Sequence, residues 1–379
     1  MRVHALARLG RKAVTLGFSG VGTPDFVMLP GLINAHDHLQ LNNVPPLVHS
    51  APYRNSYEWI DAFEAHRGDP AVEAAVAVPS AARYWHGGLK NLLSGVTRVA
   101  HHDPWNVAFD DPEFPVEVAR NYTWCHSLGL GERTGDCAPR YGPDVRESFE
   151  QTPGGAPWII HLAEGTDAVA AAELAKLDDL GCLAANTVLV HGVGLSSRDI
   201  DRVLERGASV VWCPSSNIGM FGRTLDAGTV RRLFDAGRLG IGTDSRLTGS
   251  RDLLDELRVA AAHSDLTPAQ LLSLATTQNA SVLRLEQRDP LAAGTGDDGV
   301  IVRARAGTDP ATALLGASRG DLLAVLKGAV PMIADPEFAR LFVASQTATV
   351  AVSLDGRPKL IAKHLLRPEM TAAEPGLLA

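Results

Sequence analysis

The sequence predicts an α/β fold: a TIM-like (β/α) barrel of parallel strands with a small β-sandwich domain from the two chain ends. Three observations predict it. Apolar strand-like runs alternate with helical segments between residues 28 and 285. Polar residues follow these runs at their carboxyl ends, where such barrels carry their chemistry. The length of 379 residues suits a barrel of about 250 residues plus a smaller domain.

Six apolar runs have the length and the flanking turn residues of buried parallel strands. They are residues 28–35, 95–100, 158–161, 187–191, 208–213 and 239–244, with a weaker candidate at 120–126. Segments of helical composition separate them, at residues 71–94, 168–180, 197–206, 230–236, 251–263 and 267–285. This alternation is typical of parallel strands joined by crossover helices.

The segment between residues 127 and 157 departs from the pattern. It is rich in glycine, proline and charge, and its one helical candidate is residues 145–150. A full barrel needs another strand and helix there. We therefore expect a barrel that is abbreviated or irregular at this point, unless the strands have been miscounted.

Short β-like runs near both ends of the sequence predict the second domain. They lie within residues 1–28 and 297–370, which we expect to form the small β-sandwich. The barrel then occupies residues 29–296.

Composition narrows the range of partners. A net charge of −8 and a pI near 5.9 argue against nucleic-acid binding, which requires basic clusters. The sequence contains no run of 18 apolar residues, so no membrane span is expected. No apolar block of the kind found in secretory signals follows the basic N-terminal residues. The four cysteines are scattered, as in reduced cytosolic proteins. We expect a cytoplasmic protein with a small-molecule substrate. The sequence leaves open whether the protein forms a homo-oligomer.

The strongest local signal is an H-x-H pair, His36 and His38. Residues two apart on a strand point the same way, so these imidazoles can converge on one ion. An isolated pair of this kind could equally be two loop histidines. However, His161, His191 and Asp244 each end a predicted strand as well. Three imidazoles and one carboxylate suit Zn²⁺ or Fe²⁺ and leave a coordination position for water.

Several motifs occur in a specific order along the chain. They are PGLINAHDH at residues 30–38, HLAE at 161–164, VHG at 190–192, CPSSN at 213–217, GTDS at 242–245 and ATTQNA at 275–280. The ordered set resembles the amidohydrolase superfamily. More narrowly, it is similar to the branch of cytosine, guanine and S-adenosylhomocysteine deaminases and triazine hydrolases. The resemblance covers most of residues 28–303; the whole set is specific, whereas no single motif is.

The resemblance implies a role for each residue. It makes metal ligands of His36, His38, His161 and Asp244. It makes Glu164 a proton shuttle, His191 a group that polarises the substrate or steadies the attacking hydroxide, and Asp244 an acceptor for a proton from water.

The number of metal ions follows from a departure from the family pattern. Binuclear members of the superfamily have a bridging lysine on the fourth strand, and residues 120–157 contain no lysine. We therefore expect one divalent ion, zinc first and iron as the alternative.

Seven further residues are weaker candidates, and His101 and Asp103 are among them because they end the second predicted strand together with His102. Gln40 follows the H-x-H pair by two residues, and His102 belongs to a histidine pair at the end of the second predicted strand. Trp59 and Trp105 could stack on a flat substrate, and Asn217 could donate to a substrate carbonyl.

The expected function is hydrolysis of a non-peptide C–N bond. Deamination of a nitrogen heterocycle, or of an amidine- or guanidine-like group, through a metal-bound hydroxide comes first. Hydrolysis of a cyclic or linear amide, or of a C–Cl bond, at the same site is the alternative. An alternative from another functional class is a non-catalytic barrel that acts as a binding module. A degenerate barrel of that kind should have lost ligands, whereas this chain keeps the full set.

Overall fold

The computed structural model describes residues 5–9, 12–16, 26–128, 142–287, 298–304, 307–367 and 374–378. Its strands are β1 (Ala5–Leu9), β2 (Lys12–Leu16), β3 (Phe26–Pro30), β4 (Leu32–Asp37), β5 (Val96–His101), β6 (Glu117–Val118), β7 (Thr123–Ser127), β8 (Trp158–Leu162), β9 (Thr187–His191), β10 (Ser209–Trp212), β11 (Leu239–Ile241), β12 (Gly299–Arg303), β13 (Leu322–Lys327), β14 (Val330–Ala334), β15 (Thr349–Leu354), β16 (Arg357–Ala362) and β17 (Leu377–Leu378).

The helices lie mainly between the parallel strands. They are α1 (Ser56–Ala65), α2 (Pro70–Ala77), α3 (Ser80–Leu93), α4 (Val145–Glu150), α5 (Ala168–Ala171), α6 (Glu173–Asp179), α7 (Ser197–Arg206), α8 (Pro214–Phe221), α9 (Ala227–Asp235), α10 (Leu253–Ala262), α11 (Pro268–Ser273), α12 (Asn279–Val282), α13 (Pro310–Leu315) and α14 (Ala339–Ser345). A π-helical turn (Leu274–Gln278) joins α11 to α12.

The parallel strands form two hydrogen-bonded sheets. One has the order β4-β5-β6 and the other the order β7-β8-β9-β10-β11. Every pairing within them is parallel. The predicted α/β class, with parallel strands joined by helices and a separate antiparallel sheet, is confirmed.

Strands β6 and β7 are two parts of a single pass of the chain. Strand β6 pairs with β5, and β7, four residues further on, pairs with β8. A parallel neighbour requires a crossover of about a dozen residues, so β6 and β7 cannot be separate adjacent strands. The described residues therefore contain seven parallel passes instead of eight. Because β7 pairs directly with β8, no described strand intervenes, as expected for an abbreviated barrel.

The outer strands β4 and β11 are linked by a side chain. The Asn279 amide donates to the carbonyl oxygens of Ile33 (2.7 Å) and Ile241 (2.8 Å), and it accepts from the Ile241 N–H at 2.8 Å. Close approach of the two strands also requires a glycine, because a Cβ at Gly242 would lie 2.6 Å from the Cβ of His36. The two sheets thus meet beside the H-x-H pair.

The antiparallel sheet has the order β17-β15-β16-β14-β13-β12-β3, and β1 and β2 form a separate hairpin. The prediction of a single strand over residues 28–35 is wrong, because the run divides at Gly31. Its first part is in β3, paired with β12, and its second part is β4. A side chain at Gly31 would collide with Thr97, at 2.3 Å from its hydroxyl oxygen. The division into domains at residues 28/29 and 296/297 stays a prediction.

Among the described residues, no helix combines the length and the apolar character needed to cross a membrane.

We predict that Asn279→Ala destabilises the fold strongly. The substitution leaves three buried backbone groups of β4 and β11 without their partner, at about 1–3 kcal/mol each. The free energy of unfolding from urea titration should fall by at least about 3 kcal/mol. Thr277→Ala, an exposed change in the same turn, is the control and should stay within about 0.5 kcal/mol of the parent protein. Equal effects of the two changes would contradict the role given to Asn279.

Candidate metal centre

The strand ends bring together the four side chains that the sequence analysis expects to bind a metal. Nε2 of His161 lies 3.3 Å from Nε2 of His36 and 3.3 Å from Nε2 of His38. Oδ1 of Asp244 lies 3.7 Å from Nε2 of His36 and 3.6 Å from Nε2 of His38. All four residues are buried.

These separations fit a shared ion. Four ligands bound tetrahedrally at about 2.0–2.1 Å from zinc lie about 3.3–3.4 Å from one another. The His161 Nδ1 donates to the carbonyl oxygen of His126 at 2.7 Å, which leaves Nε2 as an electron pair. That electron pair faces the Nε2 atoms of His36 and His38, and a divalent cation among the three atoms would satisfy all of them.

A carboxylate orients the second histidine of the H-x-H pair. Nδ1 of His38 donates to Oδ2 of Asp103 at 2.6 Å, and the Gln40 amide donates to the same oxygen at 2.7 Å. A carboxylate behind a metal-binding imidazole fixes its tautomer and raises its basicity. Asp103 thereby aims the Nε2 of His38 at the other ligands.

The two oxygens of Asp244 have different partners. Oδ1 faces the histidines, whereas Oδ2 accepts hydrogen bonds from the hydroxyls of Ser216 (2.7 Å) and Thr248 (2.6 Å). Burial opposes its charge, but the hydrogen bond from His36 and the charge of His38 hold the pKa of Asp244 well below its usual value. Its backbone is left-handed, with φ at 54°. A strained conformation of this kind is maintained only where neighbouring contacts enforce it.

Burial and charge set the protonation of the histidines differently. Burial lowers the pKa of His36 to about 4 and that of His161 well below its usual value, so both rings are neutral, as ligands must be. Burial acts the same way on His38, but among the protein groups alone Asp103 and Asp244 raise its pKa to about 9. A metal and a proton therefore compete for His38, and metal binding must release that proton.

Glu164 and His191 border the same space. Oε1 of Glu164 lies 3.5 Å from Nε2 of His191, and burial raises the pKa of Glu164. The left-handed Ala163 (φ 52°) redirects the chain between His161 and Glu164, and its N–H donates to Oε2 of Glu173 at 2.7 Å. The geometry thus holds a carboxyl group at the edge of the ligand cluster, where it can carry a proton.

A buried ion pair between Lys90 and Asp37 supports the strand that carries the H-x-H pair. The Asp37 carboxylate accepts hydrogen bonds from Lys90 (3.0 Å), Asn91 (2.8 Å) and Asn42 (2.8 Å). The side chains of Asp37 and Lys90 are both fully inaccessible to solvent. Asp37 points away from the ligands, so the residue between the two histidines anchors their strand to α3.

The ligands open onto a cavity of about 70 Å³. Its walls include His38, His161, Glu164, His191 and Asp244. The other lining residues are mainly apolar or hydroxyl-bearing: Leu41, Ser56, Trp59, Ile60, His126, Met220, Ser245 and Thr248. The polar groups of the site and an apolar wall therefore line the same cavity.

Apart from Trp59, the weaker candidates lie outside the cavity lining. Gln40 binds Asp103, and the His102 ring stacks on His161 at a centroid distance of 4.1 Å. Asn217 Oδ1 accepts from Nδ1 of His191 at 2.9 Å. Trp105 is 43% exposed and packs against Phe109. The structure therefore gives Gln40, His102 and Asn217 contacts behind the site, whereas Trp59 faces the cavity.

Sequence reasoning gave no role to His126, Glu173 or the Lys90 ion pair with Asp37, and it counted Asp103 only as a weaker strand-end candidate. His126 lies near the end of a parallel strand, and that position could have marked it as well. Glu173 and Lys90 lie in ordinary helical segments, and no local pattern distinguishes them from surface residues.

Comparison with known proteins agrees with this geometry. The sequence profile of the Amidohydrolase family matches residues 150–313. A 5-methylthioadenosine/S-adenosylhomocysteine deaminase from Nitratidesulfovibrio vulgaris is 26% identical over 356 residues, covering 79% of this chain and 77% of the relative. A deaminase of the same name from Thermococcus onnurineus is 36% identical over 87 residues, covering 22% of this chain. In that match the chain spans 20% of the relative's length.

Solved structures share the fold. Atrazine chlorohydrolase from Arthrobacter aurescens, with zinc, superposes with a TM-score of 0.61 at 20% identity, covering 85% of this chain and 88% of the other. An adenosine deaminase from Xanthomonas campestris with bound zinc gives a TM-score of 0.60 at 20% identity and covers 85% of each chain. The chain is therefore similar to the Amidohydrolase family over residues 150–313, and it shares its fold with these zinc-containing structures.

Proposed function

We propose that the protein is a metal-dependent hydrolase that deaminates a nitrogen heterocycle or an amidine- or guanidine-like group. The observation that carries the proposal is the convergence of three imidazole nitrogens and one carboxylate, with Glu164 and His191 beside them. His36, His38, His161 and Asp244 would hold one divalent ion, zinc first and iron as the alternative. Such an ion would bring the pKa of bound water from 15.7 toward about 7.

The protein's own groups divide the remaining work. Glu164, buried and with a raised pKa, is suited to accept a proton at one step and to deliver it to the leaving nitrogen at another. An amide anion leaves poorly without that proton. Asp244 is suited to accept a proton from the attacking water, since its Oδ1 faces the ligand cluster. Nδ1 of His191 donates to Asn217, so its Nε2 is directed into the cavity.

The apolar wall formed by Leu41, Trp59, Ile60 and Met220 favours a substrate with a flat or apolar body. Two relatives are named as deaminases of adenine-containing compounds, and these names motivate the choice of amino-substituted heterocycles as test substrates. A cytosolic location stays a prediction. The three described cysteines, Cys125, Cys182 and Cys213, are buried free thiols.

Hydrolysis of an amide or a C–Cl bond is the second candidate. One solved relative with the same fold is an atrazine chlorohydrolase. The same ligand set serves both reactions, and the leaving group of the substrate distinguishes them. A non-catalytic barrel is less well supported, because a binding module has no need of a buried carboxyl group beside the ligand cluster.

We predict that the purified protein binds about one equivalent of zinc or iron. Among the described residues, the two groups that could hold a metal share His36, and residues 120–157 contain no lysine to bridge a second ion. Elemental analysis after metal-supplemented expression measures the content. Two ions per chain would contradict the mononuclear assignment, and no metal at all would contradict the proposed function.

We predict that Glu164→Gln retains the metal but loses turnover by about 100-fold or more, because general acid–base groups contribute about 10²–10⁴-fold. Ammonia release from a panel of heterocyclic amines, with elemental analysis in parallel, measures both quantities. Glu205→Gln, an exposed change outside the cavity, is the control and should retain full activity. A Glu164→Gln variant with unchanged kcat would remove the proton-shuttle role.

We predict that Asp103→Asn weakens metal binding by about 10- to 100-fold, because the carboxylate no longer orients His38 or raises its basicity. Competition with a chromophoric chelator measures the dissociation constant. Asp110→Asn, a change to an exposed carboxylate in the same loop, should have no effect. If the two variants bind metal equally well, Asp103 does not support the site.

A further inference from the structure

Glu374 is a buried carboxylate far along the sequence from the metal centre. It accepts a hydrogen bond from Nε2 of His86 at 2.8 Å and two from Arg246, at 2.9 and 3.0 Å. Arg319 donates to it as well. The side chains of Glu374 and Arg319 are fully inaccessible to solvent. Its position at the meeting point of three separate segments is the observation to be explained.

The first connection from Glu374 leads to Asp244. Arg246 is two residues beyond that proposed ligand, in the loop that also carries Thr248, a donor to the Asp244 carboxylate. The loop has a second attachment, because Arg251 donates to Asp355 at 2.5 Å and to the Pro375 carbonyl at 3.2 Å. The segment 374–378 therefore holds the Asp244 loop at two points.

The second connection leads to the H-x-H pair. His86 is one turn before Lys90 and Asn91 on α3, and both of these bind Asp37, the residue between the two histidines. Residues four apart lie on the same helix face. The helix also contacts the turn after the H-x-H pair closely, since a Cβ at Gly87 would lie 2.2 Å from the Leu39 carbonyl oxygen.

The two connections are also joined to each other through Asn42. The backbone N–H of Arg246 donates to Oδ1 of Asn42 at 3.1 Å, and the Asn42 amide donates to Asp37 at 2.8 Å. One carboxylate is thus linked to both groups of proposed ligands, with no direct contact to any of them.

The backbone of the segment is shaped for this position. Gly376 has a left-handed φ of 86°, and a Cβ there would lie 2.0 Å from a carboxylate oxygen of Asp355. Burial opposes the charge of Glu374, but the hydrogen bonds from His86 and Arg246 hold its pKa below the usual range. The carboxylate is therefore ionised and compensates Arg246 and Arg319.

We propose that Glu374 is a positioning residue for the metal centre: through Arg246 and His86 it fixes the loop of Asp244 and the helix behind His36 and His38. The proposal rests on the proposed metal site, although its structural part can be tested separately. Without the carboxylate, the Arg246 guanidinium loses its ionic partner and the Asp244 loop loses one of its two attachments, whereas Arg319 keeps Asp355.

The test compares Glu374→Gln with Asp335→Asn in the full chain. Asp335 forms an ion pair with Lys359 in the antiparallel sheet, so its loss disturbs a comparable interaction without touching the Asp244 loop. Two quantities are measured: hydrogen exchange of the backbone amides of residues 245–251, and zinc affinity by competition with a chelator. Neither measurement requires a substrate.

We expect Glu374→Gln to raise both the amide exchange rates of this loop and the dissociation constant for zinc by about 10-fold or more. Asp335→Asn should leave both within about twofold of the parent protein, a difference smaller than that produced by loss of a supporting contact. If Glu374→Gln lowers thermal stability as Asp335→Asn does, but leaves loop exchange and zinc affinity unchanged, the residue is only structural and the proposal is overturned.

Arg246→Gln tests the same contact from the loop side if Glu374→Gln does not fold. It leaves Glu374 with Arg319 and His86, and it should produce the same loss of exchange protection and zinc affinity. Parent-like values would overturn the proposal. If the parent protein itself binds no divalent metal, the proposed function fails, and the hydrogen-exchange comparison still decides whether Glu374 holds the loop.

Discussion

The close approach of three imidazole nitrogens and a carboxylate oxygen is the constraint on which the rest of the site depends. Four ligand atoms, with separations of 3.3–3.7 Å between neighbours and largely buried, are well placed to share a cation. The protein must hold them in place before any cation arrives. It does so with a second layer of polar groups: Asp103 behind His38, a backbone carbonyl behind His161, and two hydroxyls behind Asp244. Each of these contacts leaves the inward-facing atom free to act as a ligand.

Backbone strain contributes to the same arrangement. Ala163, His191 and Asp244 follow or end three different strands, and all three have a left-handed backbone although none is glycine. Such conformations cost about 1–3 kcal/mol each and persist only where other contacts enforce them. Glu173 supplies one such contact at Ala163, and the His36 carbonyl supplies another at the Asp244 N–H. Contacts elsewhere in the fold thereby offset the strain that directs these side chains into one cavity.

Much of this could be predicted from the sequence because the relevant signals are local. Apolar runs ending in a histidine or an aspartate identify both the strands and the candidate ligands, and the H-x-H spacing depends on strand geometry alone. The division of residues 28–35 at Gly31 could not be predicted, since it depends on the space beside Thr97. The burial of Lys90 and of Glu374 could not be predicted either, because their partners are distant in sequence. The placement of Gln40, His102 and Asn217 behind the site shows the same limit: a strand-end position indicates proximity to the cavity, but packing decides which way a side chain faces.

The change of sheets at Gly31 has a consequence for how the chain folds. Strand β3, which ends just before β4, finds its partner, β12, about 270 residues later, and the hydrogen bond between His86 and Glu374 joins residues 288 positions apart. During synthesis on the ribosome, β4, with the H-x-H pair at its end, can therefore meet β5 early, whereas β3 has to wait for most of the chain before its partner exists. Contacts this distant in sequence slow folding, since the entropy of closing the intervening loop is lost before the contact forms. The last proposed ligand, Asp244, is added after about two thirds of the chain, so a shorter nascent chain offers an ion only a fraction of its ligands.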